Sequence, residues 1–527
     1  MKTVFKKAVF LLLLLCLLGL NHDYGDAIVV GSIGEPRTLV PILASDSASG
    51  AICGLVFNGL LKYDKKLNLV GDLAERWVVS DDGLEITFYL RKGIKWHDGE
   101  HFNSEDVQFT YKSLIDSRVM TPYSGDFEMV KNFEIIDDYT IKVSYKEPFS
   151  PGISSWTMNI MPEHILEGQD LNNTYFSRNP VGTGPYKFKI WKTGDRVELT
   201  SNADYFEGRP FINRYIYRII PDSATLFLEL RAEGVDYSSL TSLQFERQTK
   251  NRFFNETFQK FRFPSFGYTY LGYNLEDFRF KDIKVRQAIN YAIDKNEIIK
   301  GVLLGLGTVS TGPFIPESWA YNKRIKPVEY NPEKARRLLS EAGWIDSDGD
   351  GILEKNGKKF SFTIITNQGN QNRKMTAEIL QKRLKQIGID VKIKIIEWSA
   401  FVSEFINKKR FEAVLLGWGL SPEPDMYDIW HSSKTRQGEF NFIGYSNKEI
   451  DDLLVKGRRT FDKKERQDIY NSIHQILYTE QPYLFLYVAD SLPIVHKRFR
   501  GIEVGVGGIG HNFIKWHVPK EKQKYTR

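Results

Sequence analysis

Between residues 282 and 420 the apolar spacing switches repeatedly between a helical and a strand period, and this pattern restricts the fold more than any other feature. Val285, Ala288, Ile289, Ala292 and Ile293 share one helical face, which predicts a helix over 282–300. Asn331-Pro332-Glu333 reads as a cap, a proline at the first helical position and an early acid; Leu338, Leu339 and Ala342 follow, and Gly343 stops the helix. Strands are predicted at 360–366, 389–395 and 411–417, with helices at 372–387 and 400–408 between them. Strand, helix, strand, helix, strand at this spacing implies βαβ units, right-handed crossovers and a partly parallel sheet, so the fold class is α/β.

The first half has another rhythm. A short buried strand at 28–31 runs into a loop from Ser32 to Asp46, and a helix follows at 47–58. Residues 84–91 and 139–145 alternate as half-buried strands, with a helix at 104–113 between them capped by Ser104. The turn Gly182-Thr183-Gly184-Pro185 precedes a hairpin at 186–191 and 196–200, and 483–488 is a late apolar strand. A chain of 527 residues exceeds one ordinary core and is expected to form two or three lobes. With 42% apolar and 26% charged residues, disordered, collagen-like and disulfide-scaffold classes are excluded. The 72 basic and 66 acidic residues form no long basic block, which argues against a nucleic-acid partner. Aromatics at 13% can fill cores or line a ligand cleft.

Residues 1–26 read as an export signal: Lys2, Lys6 and Lys7, then an apolar run from Ala8 to Leu20, ended by Asn21, His22 and Asp23. Gly25–Ala27 is the nearest match to a cleavage site, and an uncleaved anchor is the alternative. Cys16 follows Leu13-Leu14-Leu15 rather than small residues, which argues against lipid anchoring there. No later segment reaches membrane length. An extracytoplasmic or periplasmic location is expected. Cys53 is then the sole thiol, in an apolar stretch without a neighbouring base, and reads as buried and inert.

His97 and His101 are four apart, but Trp96-His97-Asp98-Gly99-Glu100-His101 is a turn sequence rather than a metal-binding helix. Asp346-Ser347-Asp348-Gly349-Asp350-Gly351 copies the first half of a calcium loop, while the twelfth position is Gly357 instead of Glu. It is either an Asp/Gly-rich turn or a weak calcium site formed by Asp346, Asp348, Asp350 and Glu354. No catalytic triad, nucleophile elbow or phosphate loop is present, and no enzyme activity or cofactor is expected. The apolar strand 411–417 ends in a loop carrying Trp418, Ser421, Pro422, Glu423, Pro424 and Asp425. In open α/β sheets ligands bind beyond strand carboxyl ends. The exit of the first strand, with Ser32, Gly34 and Glu35, is a second such place. The two loops can form the jaws of a cleft between lobes; alternatively, Trp418 is a core residue and the prolines stiffen the loop.

Several stretches together resemble one family. These are Glu35-Pro36-Arg37-Thr38-Leu39, Leu73-Ala74-Glu75-Arg76-Trp77, residues 82–100 with Phe102 and Glu105-Asp106-Val107, Gly182–Tyr186, residues 285–294 and the Gly417-Trp418 loop. They resemble the extracytoplasmic solute-binding proteins of the dipeptide/oligopeptide family (family 5), which serve peptide ABC importers. The resemblance implies a two-lobed type II periplasmic-binding-protein fold with hinge strands. Lobe one would span 27–265 and 489–527, with an extra α+β subdomain near 51–175, and lobe two would span 266–488. It implies a monomeric receptor that closes on a short peptide and docks on a membrane permease with its ATPase. It also places Tyr268, Tyr270 and Asn274 at the crossover into lobe two, among cleft residues; core packing or hinge support is the alternative for each. Peptide-binding members carry an Asp three residues after the Trp, where this chain has Ser421; Glu423 or Asp425 would have to substitute. The alternatives are transport of an oligosaccharide or metal chelate, or a chaperone-like binder.

Overall fold

The computed structural model describes residues 24–525. The strand Gly25–Ser32 lies at the centre of a seven-stranded mixed sheet. It pairs in parallel with Ile212–Ile219 and with Tyr237–Ser239, and Arg196–Ser201 and Tyr186–Lys192 extend the sheet antiparallel. On the other side Pro493–His496, far along the chain, pairs with Tyr237–Ser239, and Phe258–Lys260 forms the edge beyond it. Every residue from Gly25 to Gly31 is buried, as expected of a strand covered on both faces. The apolar run Ala8–Leu20 lies outside the described residues. Gly25 and Asp26, assigned by sequence to its end, belong instead to this first strand. Asp26 forms a buried ion pair with Arg498, which also binds Asp236 at 2.7 Å. Cleavage after Asp26 would leave that arginine short of a carboxylate. No helix among the described residues is long and apolar enough to cross a membrane.

A four-stranded antiparallel sheet of Ala74–Val79, Glu85–Leu90, Thr140–Tyr145 and Val130–Asp137 packs beside this lobe, with the helix Ser104–Ile115. Asn103, not Ser104, is the cap: it forms a reciprocal capping box with Asp106. One continuous core joins this layer to the first sheet.

The chain leaves the first sheet after Phe258–Lys260 and joins a second at Phe263–Pro264; it returns between Tyr483–Ser491 and Pro493–His496. The second sheet has the order Phe263–Pro264, Tyr483–Ser491, Gly267–Tyr273, Ala413–Gly419, Ser361–Asn367, Asp390–Ile396. Ser361–Asn367 is parallel to both Asp390–Ile396 and Ala413–Gly419, with the helix Gln371–Lys385 as crossover, which is the βαβ arrangement read from the sequence. The helix predicted over 282–300 is two, Ile283–Tyr291 and Lys295–Gly301; Asp294 caps the second and forces the break. The helix predicted at 400–408 is a short turn, Trp398–Ala400, followed by a π-helical segment, Phe401–Ile406.

Candidate ligand-binding cleft

Two connected chambers of about 740 and 410 Å³ lie between the lobes. Tyr123 and Phe440, one from each lobe, border both and meet edge to face at 5.5 Å between centroids.

The larger chamber sits where the second sheet ends. Ala413–Gly419 runs antiparallel to Gly267–Tyr273, with Gly267 opposite Gly419. Leu420 N donates to Phe266 O at 2.9 Å, which puts Tyr268/Trp418 in the bonded class of pairs and Thr269/Gly417 and Gly267/Gly419 in the other. The amide groups of Gly417 and Gly419 therefore point away from 267–273. On that outer side the parallel partner stops at Ile365, opposite Val414. A short unpaired strand edge thus faces the chamber. Arg373 lies against it: a Cβ at Gly417 would stand 2.8 Å from the guanidinium and 3.0 Å from Tyr268 O, so a larger residue there would crowd both. Arg373 donates to Asn367 Oδ1 at 2.8 Å and has no carboxylate partner among the described residues. Burial lowers its pKa.

Trp418 lines this chamber and donates to Tyr483 Oη at 3.3 Å, with Phe440 edge-on at 5.2 Å. Tyr268 also lines it, 2% exposed, with a hydroxyl that has no hydrogen-bond partner among the described residues. Ser32 and Gly34 form the opposite wall, fixed by Tyr217 Oη at 2.6 and 3.0 Å. Three expected cleft residues lie elsewhere. Glu35 turns back into lobe one, accepting from Trp191 Nε1 at 2.8 Å and Gly194 N at 3.1 Å. Tyr270 is fully buried and stacks on Tyr483 at 3.9 Å. Asn274 lies past the far end of its strand, donating to Phe411 O at 3.1 Å. Each residue advances a strand by about 3.3 Å, so only its cleft end, Gly267–Thr269, reaches the ligand space.

Ser421, Glu423 and Asp425 line the smaller chamber with Asp126, Asp428 and Cys53. Both acids proposed as substitutes are already paired: Glu423 with Arg466, and Asp425 with Arg458 at 2.5 Å. Asp428 Oδ1 has no donor among the described residues, and burial with Asp126 nearby pushes this carboxyl well above the usual range. Cys53 is buried, and removal from water pushes its thiol pKa up.

Contacts across the cleft show why the lobes stand closed. Trp398 Nε1 donates to Asp46 Oδ1 at 3.3 Å. Lys434 reaches Ser124 Oγ at 3.1 Å and Glu128 at 3.2 Å. Arg458, its side chain 4% exposed, donates to Asp126 at 2.7 Å and Gly125 O at 3.0 Å while stacking on Tyr427. The sequence reading missed Asp46, Tyr123, Arg373, Trp398, Lys434 and Arg458.

His97 makes contacts of its own with the turn 182–185. Gly182 N donates to His97 Nδ1 at 3.2 Å, and the opposite ring nitrogen meets Gly184 O at 3.0 Å. His97 thus ties the turn 182–185 in place, and burial lowers its pKa to about 4.

The family described as bacterial extracellular solute-binding proteins, family 5, matches residues 68–440. The chain belongs to this family. The oligopeptide-binding protein AppA of Bacillus subtilis is 38% identical over 506 residues, covering 94% of this chain and 92% of AppA. The structure of AppA with a nonapeptide superposes with a TM-score of 0.91 at 37% identity, covering 95% of this chain and all of that one. NikZ of Campylobacter jejuni, solved with Ni(L-His), gives 0.84 at 31% identity, covering 93% and 99%. A family 5 solute-binding protein of this architecture has two lobes of α/β type, and the cleft described above is the space between them.

Proposed function

We propose that this solute-binding protein is the extracytoplasmic receptor of a peptide ABC importer, closing on a short peptide and presenting it to a membrane permease and its ATPase. The observation that carries this reading is the unpaired strand edge at Gly417 and Gly419 inside the closed cleft. Such an edge pairs with a ligand main chain whatever its side chains, as in strand addition. Arg373, a cation without a carboxylate, supplies donors to a ligand carboxylate or carbonyl in the larger chamber. Asp428, the one acid of the smaller chamber with no ion-pair partner among the described residues, makes that chamber the place for the amino end. The ligand's bonds stay intact; the lobes hinge at the two crossings near 260–263 and 491–493. The apolar run Ala8–Leu20 serves export.

Native mass spectrometry of the purified protein is expected to reveal a carried-over peptide. In thermal-shift assays, unmodified peptides raise the melting temperature. A peptide at 100 times its dissociation constant adds about 2.7 kcal/mol. Arg373→Met weakens that response and acetylation of the amino end reduces it. A response confined to sugars or to metal–histidine complexes, with none to peptides, would replace this reading with the other transport role.

A further inference from the structure

The segment Asp346–Glu354 lines neither chamber, and the peptide-receptor reading leaves it unexplained. It joins the helix Pro332–Glu341 to a small hairpin, Glu354–Lys355 with Lys358–Lys359, and through it to the strand Ser361–Asn367. Carboxylate oxygens of Asp346, Asp348, Asp350 and Glu354, one from each, lie within 4.8 Å of one another. The three aspartates are exposed, as many solvated acidic turns are. Glu354 is different. It is 8% exposed, and its Oε1 is out of water with no hydrogen-bond donor among the described residues. Its other oxygen accepts from Ser347 N at 2.9 Å and Ser347 Oγ at 2.8 Å, which fixes the carboxylate toward the loop.

The charge is also out of balance. Lys359 is the only cation paired with the cluster among the described residues, touching Asp350 and, at 3.4 Å, Asp348. One ammonium faces four carboxylates. A buried carboxylate oxygen without a donor, held among like charges, is costly unless a cation completes it. Two glycines wrap the backbone around Asp346. Gly349 and Gly351 adopt φ of +77° and +87°, and their N–H groups donate to the two oxygens of Asp346 at 2.8 and 3.0 Å.

We propose that Asp346, Asp348, Asp350 and Glu354 form a calcium site. Hard oxygen ligands at alternate positions suit calcium, whose coordination tolerates a flexible exposed loop better than the strict octahedron of magnesium does. The sequence places Gly357 at the twelfth position, where a calcium loop of the usual kind has its glutamate. Here the bridge between Ile345 and Glu354 folds the chain back early, and the buried glutamate arrives at the ninth position instead. The ion ties the end of one helix to the start of the central parallel strand of lobe two, next to Trp344, which packs on Phe360 at 4.3 Å. Its role is structural and separate from the cleft.

The test uses the purified protein after chelator treatment, with calorimetry and thermal melts in CaCl2 or MgCl2. Extracellular calcium modules bind at about 10⁻⁴–10⁻³ M, so about 10 mM calcium is expected to saturate the site and raise the melting temperature, reversibly with chelator. Magnesium is expected to do so far less. Asp348→Asn, on an exposed side chain, is expected to abolish the shift while leaving peptide binding intact. Lys359→Met is expected to tighten calcium binding several-fold by removing the competing ammonium. No calcium heat or shift at about 10 mM would overturn the site, as would an unchanged response in Asp348→Asn or an equal response to magnesium.

Discussion

Arg458 offers the sharpest test of how closure is held. Its guanidinium bonds Asp425 on its own lobe and Asp126 and Gly125 O on the other. Arg458→Met therefore acts twice. In the open form it strips Asp425 of its partner, which lowers the melting temperature of the ligand-free protein. In the closed form it also leaves Asp126 facing Asp425 and Asp428 without its ion-pair partner, in a site where the arginine side chain is 4% exposed. Only the second effect counts against closure. Losing one buried, charge-assisted contact across an interface costs about 2–3 kcal/mol. Because ligand binding is linked to closure, that cost appears as a roughly 30–150-fold weaker dissociation constant.

Asp126→Asn separates the two effects. It removes the cross-lobe charge but keeps Asp425 paired, so affinity falls while the ligand-free melting temperature holds. Calorimetry on the single and double variants closes a double-mutant cycle, with an expected coupling of about 2 kcal/mol. If the two substitutions are additive within about 0.5 kcal/mol, or Arg458→Met changes affinity less than about threefold, the salt bridge does not hold the lobes together.

Other consequences follow from single groups. Gly417→Ala places a methyl group 2.8 Å from Arg373 and 3.0 Å from Tyr268 O, whereas a Cβ at Gly419 meets nothing within 4 Å. Gly417→Ala is therefore expected to lower both peptide affinity, by about tenfold or more, and melting temperature, by an overpacking cost of about 1–3 kcal/mol; Gly419→Ala leaves the melting temperature unchanged, and equal melting losses would refute this reading. His474 is fully buried, accepts from Asn322 N at 3.3 Å and contacts Thr311 Oγ1 at 3.1 Å, and burial lowers its pKa to about 4. The folded state thus binds fewer protons than the unfolded one between pH 6.5 and 4, so this contribution is whole above pH 6.5 and is lost as pH falls toward 4. At pH 5 the loss is about 2 kcal/mol, read from urea midpoints, and His474→Gln should flatten that part of the profile.

What the sequence made legible was whatever repeats over short distances. The βαβ rhythm of 360–419 survives in the parallel pairing of Ser361–Asn367 with both neighbours, because helix and strand periods are local properties. Trp418 borders the larger chamber at a strand end, which is where topology opens space in such sheets. The split at Asp294 was readable too: Asp294 with Glu297 three residues on has the pattern of a helix start, though the continuous apolar face 285–293 masked it. What failed was depth along a strand. Tyr268 and Tyr270 share a face and a residue type; one borders the chamber and the other is sealed beneath Tyr483, and no periodicity distinguishes them. What was absent altogether was the other side of each contact. Arg458 meets Asp126 across 332 residues of chain and Trp398 meets Asp46 across 352. Those partners carry no shared local signal, because the surfaces that select them exist only once both lobes have folded and closed. The acids of the Trp418 loop illustrate the limit. From sequence, Glu423 and Asp425 were free to receive a ligand's ammonium; in the fold Arg466 and Arg458 have neutralised both. The charge available to a ligand is therefore set by distant arginines rather than by the loop that displays the acids, and a variant that removes either arginine should alter ligand charge preference as well as affinity.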